Sequence, residues 1–318
     1  MMTRSTVSRR HALKLALAGA ASMIAINKSL ASMVNGVPKP MQVDNYKNNL
    51  GVQLYSIRQQ LTDNPGEAFE QLARIGYQHV EWFDVTTLDK LAPLAKSNGL
   101  PISSAHVLSP YITGNKLMQA VIPNDLNSPE KLIEKLNKFN IKHLVLSYIF
   151  EDERQNIEQY KVLSEQLNRV GELCQLAGIQ LCYHNHDFEF ITLNGQRPFD
   201  LLLNELDHQN VKFELDVFWA KYAGLEPDEL ITQLAERCAL LHLKDLRNLP
   251  VANLNGHSPA DEAMFKPVGS GIIDFEKVLF AARKVGVEKV FVEQDHNTGH
   301  IFDDLKSSFN YLQTLTIK

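Results

Sequence analysis

From about residue 50 to the C-terminus, short apolar runs of β type alternate with longer amphipathic runs, the pattern of parallel strands joined by crossover helices. The strand-like runs fall at residues 51–55, 79–83, 102–106, 143–148, 180–184, 212–216, 240–242 and 289–293. Helical periodicity fills 65–75, 87–98, 129–140, 153–177, 227–236, 275–285 and 303–315. Ile75-Gly76, Ala177-Gly178 and Val285-Gly286 each put glycine where a helix leaves through a left-handed residue. Eight strands alternating with helical runs over residues 49–318 predict an α/β fold, a single (β/α)8 TIM barrel. The competing open doubly wound sheet wants GxGxxG directly after its first strand, and none is there.

Before the barrel, Ser8-Arg9-Arg10-His11-Ala12-Leu13-Lys14 precedes a weakly apolar run from Leu15 to Ile26. Paired arginines with that flank form a twin-arginine export signal, and Ser29-Leu30-Ala31 offers the small residues read at cleavage. Residues 1–31 are therefore expected to be removed, 32–48 to be a linker, and the mature protein to be periplasmic and soluble. The run is short and rich in Ala and Gly, against the roughly 20 apolar residues of a spanning helix, so no stable membrane insertion is expected after cleavage.

A net charge of −5 supplies no basic face for phosphate backbones, which argues against nucleic acid as a partner. Cys174, Cys182 and Cys238 lie in apolar patterns without metal-like spacing and read as buried thiols. A homo-oligomer is compatible with the fold, by analogy with other barrels.

In such barrels the chemistry sits where strands end at their C-terminal edge. Glu81, His106, His184, Asp216, His242 and Glu293 all stand at or beside predicted strand ends, and a strand buried on both faces leaves acids and imidazoles there needing a partner or a task. Of these, His184, Asp216, His242 and Glu293 close four consecutive strands, so they are expected to converge as the ligands of one divalent metal ion. Two imidazoles and two carboxylates suit Mn, Co, Zn or Fe better than Mg or Ca.

The chain resembles the xylose isomerase-like TIM-barrel family, the sugar phosphate isomerase/epimerase group. The resemblance runs through Gly51-Val52-Gln53-Leu54-Tyr55-Ser56, Val80-Glu81, Ser104-Ala105-His106, Tyr183-His184-Asn185-His186, Leu215-Asp216 and His242-Leu243-Lys244-Asp245. It continues in Val268-Gly269-Ser270-Gly271-Ile272-Ile273-Asp274-Phe275 and Val292-Glu293. It implies a small-molecule sugar or keto sugar as substrate. The metal would bind the carbonyl and an adjacent hydroxyl oxygen, acidify the C–H between them and stabilise an enediolate. In the epimerase branch the ligands are Glu, Asp, His and Glu, and the two glutamates serve as acid and base. Here His184 replaces the first Glu, and a metal-bound imidazole is a poor acid because its lone pair is occupied.

Glu293 is then the expected base, and His186, Glu189 and Lys244 are candidate second acids or substrate clamps. Each has an ordinary alternative: a supporting partner, a solvated loop charge and an ion pair, respectively. Isomerisation, or elimination from a 3-keto glycoside, gains over symmetric epimerisation. A sugar-binding barrel without activity would be expected to have a broken ligand set, and an apurinic endonuclease needs more ligands and a positive face.

Glu81 and His106, on the far side of the mouth, are expected to bind substrate hydroxyls. Trp82, Phe83, Phe218 and Trp219 are candidates to stack on a sugar ring, with Trp219 the one chosen, or to fill space between barrel and helices. The Val268–Gly271 glycines allow a tight loop, for which a phosphate cradle is the functional alternative, and Asp274 reads as the cap of the next helix.

Replacing Arg9 and Arg10 together with lysine should leave full-length precursor inside the cytoplasm, whereas the unaltered chain appears shortened in the periplasmic fraction. Immunoblots of cell fractions read this directly.

Overall fold

The computed structural model describes residues 46–114, 122–249, 262–296 and 299–317. The chain divides at Lys39/Pro40, and the signal and nearly all of the linker expected from the sequence lie outside the described residues. Eight parallel strands close a barrel: β1 (Leu50–Gln53), β2 (His79–Trp82), β3 (Ile102–Leu108), β4 (His143–Tyr148), β5 (Gln180–His184), β6 (Val211–Asp216), β7 (Cys238–Leu243) and β10 (Lys289–Val292). Order round the barrel follows the chain, and β10 pairs with β1 to complete it. Between β7 and β10 the chain adds a small antiparallel ribbon, β8 (Asp245–Leu246) and β9 (Phe265–Lys266), which periodicity did not predict because two residues carry none.

Helix limits follow their caps. Asn64 accepts from the Glu67 amide and Pro65 opens helix Pro65–Ile75, which leaves through Gly76 at φ 116°. Helix Ile157–Leu176 begins four residues later than periodicity suggested, because Asn156 and Gln159 form a reciprocal capping box there. Asp274 accepts from the Lys277 amide and caps Phe275–Val285, as expected. The short helices Arg58–Asp63, Pro110–Thr113, Pro198–Glu205 and Val217–Tyr222 were not predicted. They are at most about two turns long, too short for an apolar stripe to repeat.

Most apolar burial lies between barrel and helices. Inside the barrel a separate plug, Val145, Cys182, Ala239, Leu240 and Phe291, fills the axis below the mouth. Gly51 is required beside it: a Cβ there would lie 2.3 Å from the His79 ring and 2.6 Å from Phe291. The three cysteines are free and buried.

The glycine loop after β9 is held from within the protein. Asp245 accepts four backbone N–H groups, from Leu246 (2.8 Å), Gly269 (2.9 Å), Gly271 (2.8 Å) and Ile273 (3.2 Å). A Cβ on Gly271 would come within 2.4 Å of that carboxylate. The amides that a phosphate would need are therefore already occupied. Asp245→Asn replaces an acceptor oxygen with a donor and should destabilise the protein by about 2 kcal/mol, read as a lower urea midpoint at unchanged m value.

Candidate active site

Successive inward positions on a strand are two residues apart, so alternate residues of a strand enter the barrel at successive levels. Above the apolar plug this places Gln53, Glu81, His106, His184, Glu214 and His242, and all six are buried. One layer higher come Asp216, Lys244 and Glu293, with Asp295 just beyond β10. The upper end opens into a cavity of about 770 Å³ at the barrel mouth, which His106, His184, His186, Trp219, Lys244 and Glu293 help to line.

His242 is the centre of both layers. Its Nε2 donates to Glu81 Oε2 and also lies 3.2 Å from Glu214 Oε2, while Nδ1 donates to Glu293 Oε2 at 2.8 Å. Both ring nitrogens face carboxylate oxygens, which favours the imidazolium form while no cation is held there. Burial opposes that charge, but Glu214, Glu293 and Glu81 outweigh it and raise the pKa well above the usual value. His106 Nε2 lies 2.7 Å from Glu214 Oε2 and 3.1 Å from Glu81 Oε2. Burial works against its charge as well, yet the two carboxylates lift its pKa to about 9.

Glu81 also accepts from Gln53 Nε2 at 2.9 Å. Despite its burial, His106 and His242 hold Glu81 well below the carboxylate range. Glu214 is pushed the other way, to about 7, by burial and by Glu81. His184 Nδ1 lies 3.1 Å from Glu214 Oε2, and its Nε2 points at Asp216 Oδ2 from 3.7 Å, beyond hydrogen-bond reach. Burial and the neighbouring imidazoles keep His184 neutral, with a lone pair to offer.

In the upper layer a single buried ammonium balances three acids. Lys244 Nζ lies 3.0 Å from Asp216 Oδ2, 2.8 Å from Glu293 Oε2 and 3.0 Å from Asp295 Oδ2. Those acids overcome its burial and raise its pKa. Glu293 is lowered in return: burial resists ionisation, but Lys244 and His242 prevail. Asp295 is raised by burial to about 6. Asp216 is aimed by the backbone, since its Oδ1 accepts from the amides of Phe218 (2.8 Å) and Trp219 (3.1 Å).

Two sets of donor atoms are close enough to share an ion, each within a 4.8 Å span: His106, His184, Glu214 and His242, and Asp216, His242 and Glu293. The four ligands expected from the sequence are thus brought to one region but divided between two sets that share His242. Glu81 Oε1 and Glu214 Oε1 are buried with no hydrogen-bond partner, a costly arrangement that a cation relieves. Imidazole nitrogens beside carboxylate oxygens fit a borderline divalent ion.

Glu81 and His106 stand against His242 rather than across the mouth from it, and Glu81 lies beneath the cavity. His186 lines the cavity; its ring stacks on Phe188 and is tilted against Trp219, and burial and Lys244 push its pKa down to about 3. Glu189 is no loop charge. It is buried, accepting from Tyr183 Oη at 2.6 Å and from the His186 amide at 2.8 Å, and so positions His186. Phe83 and Trp219 reach the cavity, whereas Trp82 and Phe218 are packed in the core. Sequence reasoning passed over Glu214, although its position two before Asp216 on one strand places it on the same inward face. Asp295 and Gln53 follow the same period of two from Glu293 and Gly51.

Residues 69–314 match the family described as xylose isomerase-like TIM barrel. The chain belongs to that family. An inosose dehydratase of Clostridium beijerinckii is 27% identical over 169 residues, which is 51% of this chain and 56% of that protein. The chain thus spans about half the length of the curated relatives it matches. A sugar phosphate isomerase/epimerase from Parabacteroides distasonis aligns with a TM-score of 0.68 at 24% identity, covering 85% of this chain and 95% of its own. The IolI protein, solved with a zinc atom, gives 0.63 at 15% identity, covering 83% and 96%. At these identities the structural likeness is one of fold. Among the described residues no helix is long and apolar enough to cross a membrane.

His106 gives a pH signature. Its folded pKa of about 9 exceeds the unfolded 6.5, so its contribution to stability is complete below pH 6.5 and is lost as pH rises through 9. Chelator-treated protein should therefore lose on the order of 3 kcal/mol over that window in urea titrations, and His106→Gln should flatten the fall. With a divalent ion bound the trend should reverse, because the ligands must shed protons to bind it.

Proposed function

We propose that this barrel is a metal-dependent enzyme that removes a proton from the carbon beside a carbonyl in a sugar-like polyhydroxy ketone or aldehyde. That removal is the shared first step of isomerisation, epimerisation and dehydration. The observation that carries this reading is the convergence on buried His242 of two sets of imidazole and carboxylate donors, of which His106, His184 and Glu293 line one cavity, with unpartnered carboxylate oxygens beside them. A divalent ion held there supplies positive charge that polarises a carbonyl oxygen.

His184, Asp216, His242 and Glu293 are the ligands in this reading, with His106 and Glu214 beside His184 and His242 in the same layer. Glu293 is kept ionised by Lys244 and His242 and lines the cavity, so it can accept a proton from substrate carbon. Lys244 is a fixed ammonium that stabilises negative charge developing on a substrate oxygen. Asp295, near pKa 6 on the cavity wall, can both take and return a proton close to neutral pH. His186, too weakly basic to ionise, orients a hydroxyl, and Trp219 closes that side of the cavity.

With His184 in place of a second glutamate, the site has an unsymmetrical acid and base pair. That favours isomerisation, or elimination of a β-hydroxyl or β-alkoxyl group, over symmetric two-carboxylate epimerisation. The inosose dehydratase relatives add weight to the elimination branch.

Protein purified without chelator should contain close to one equivalent of Mn, Co, Zn or Fe by plasma mass spectrometry. His242→Ala and Glu293→Ala should each lower that content at least tenfold. Inosose and free ketoses should exchange one carbon-bound hydrogen in deuterated water by NMR with the unaltered protein and not with Glu293→Ala. Failure of every one of those ions to bind on reconstitution would sink the proposal.

A further inference from the structure

The walls of the cavity differ from one side to the other. Over β5, β6, β7 and β10 it is lined by ionisable groups and imidazoles, among them His184, His186, Lys244, Glu293 and Asp295, with Phe188, Trp219 and Phe265 beside them. Over β1, β2 and β3 the lining is Tyr55, Phe83, Val85, Val107, Leu108 and Tyr111. The imidazole and the carboxylate on that side are already engaged: His106 with Glu81 and Glu214, and Asp84 with the amide and hydroxyl of Thr86 (3.0 and 2.7 Å). A sugar ring carries hydroxyls around its edge. Against the β1–β3 wall those hydroxyls would find the Tyr55 and Tyr111 phenols and would otherwise lose water without gaining partners.

The rim of that wall is also exposed and preformed. Tyr55 and Leu108 retain 40% and 41% of their surface, high values for large apolar side chains beside a buried site. The Tyr55 ring is fixed by the Arg58 guanidinium, 4.1 Å from its centroid, and by Phe83 edge-on at 5.8 Å. A rigid ring at a cavity rim is a stacking platform, because little side-chain freedom is lost when a flat apolar group covers it. The cavity, at about 770 Å³, is within the range of about 300–1,000 Å³ that encloses drug-sized ligands, and one six-carbon ring fills only a fraction of it.

We propose that the substrate is a glycoside whose sugar ring lies over β5–β10 and whose flat, apolar aglycone lies against Tyr55, Phe83, Leu108 and Tyr111. The inference rests on the carbohydrate reading above and narrows it to a conjugated sugar. It also gives the elimination branch a leaving group, since loss of the aglycone breaks the bond between the sugar carbon and the glycosidic oxygen. In a glycoside whose sugar already carries a ketone at C3, Glu293 takes the proton from C2, the electron pair of that C–H bond forms the C1–C2 double bond, and the departing glycosidic oxygen takes a proton from Asp295 on the wall. No oxidant or reductant enters that step.

The test measures binding rather than turnover, on full-length mature protein as purified without chelator. Calorimetric titration with paired methyl and phenyl β-glycosides of glucose, galactose and mannose compares ligands that differ only in the aglycone. At least one pair should show the phenyl glycoside binding tenfold or more tightly. Tyr55→Ala and Leu108→Ser, both at exposed positions, should bring that ratio below threefold, with circular dichroism confirming the fold of each variant. Methyl and phenyl ligands within twofold of one another would overturn the inference while leaving the carbohydrate reading intact. A phenyl preference that survives both substitutions would overturn the placement of the aglycone. If no glycoside and no free sugar binds, the carbohydrate reading fails and takes the inference with it.

Discussion

The mouth of this barrel depends on the charge balance around His242. Closing eight strands forces every second side chain inward, and five of those strands deliver an acid or an imidazole to the layer above the apolar plug. Ionised groups taken out of water cost several kcal/mol each unless their partners are close. His242 meets that demand by facing Glu81 and Glu214 with one nitrogen and Glu293 with the other. Each side chain in the layer constrains the protonation of the next: Glu81 is held low, Glu214 is driven up and His184 is left neutral.

The same layering separates support from chemistry. Val145, Cys182, Leu240 and Phe291 seal the axis below, so the polar layer is dry on one side and meets the cavity on the other. Asp216 is oriented by the first amides of the helix it caps, and His186 by the buried carboxylate of Glu189. Asp245, next to Lys244, ties the glycine loop to the end of β7 through three of its amides. Adjacent residues of one motif thus have separate duties: Lys244 turns inward to the acids and Asp245 turns to the backbone.

Much of this was legible in the sequence. The eight strands were found because parallel barrel strands are continuous apolar runs with a polar residue at their end, and Gly76, Gly178 and Gly286 marked helix exits that the backbone adopts at positive φ. The four short helices and the β8–β9 ribbon were missed because none of them stands as a separate apolar run between turn signals: the helices follow directly on strands or loops, and two-residue strands carry no period. Glu214 was missed for a different reason. A strand-end residue draws attention, whereas an acid two positions earlier resembles core polarity until the strand's inward face is followed down.

The sequence by itself determined the barrel, the order of its strands and the residues that collect at its mouth, because period, capping and strand-end chemistry are local properties of the chain. Tertiary structure decided which of those residues touch. Register across β5, β6 and β7 sets His184 beside Glu214 and Asp216 beside His242, and closure of β10 onto β1 completes the ring across which Glu81 reaches His242. Those contacts join residues up to 161 positions apart, and no local pattern encodes a distance of that kind. They decide which imidazole carries charge, which carboxylate is left without a partner and where a cation can be held.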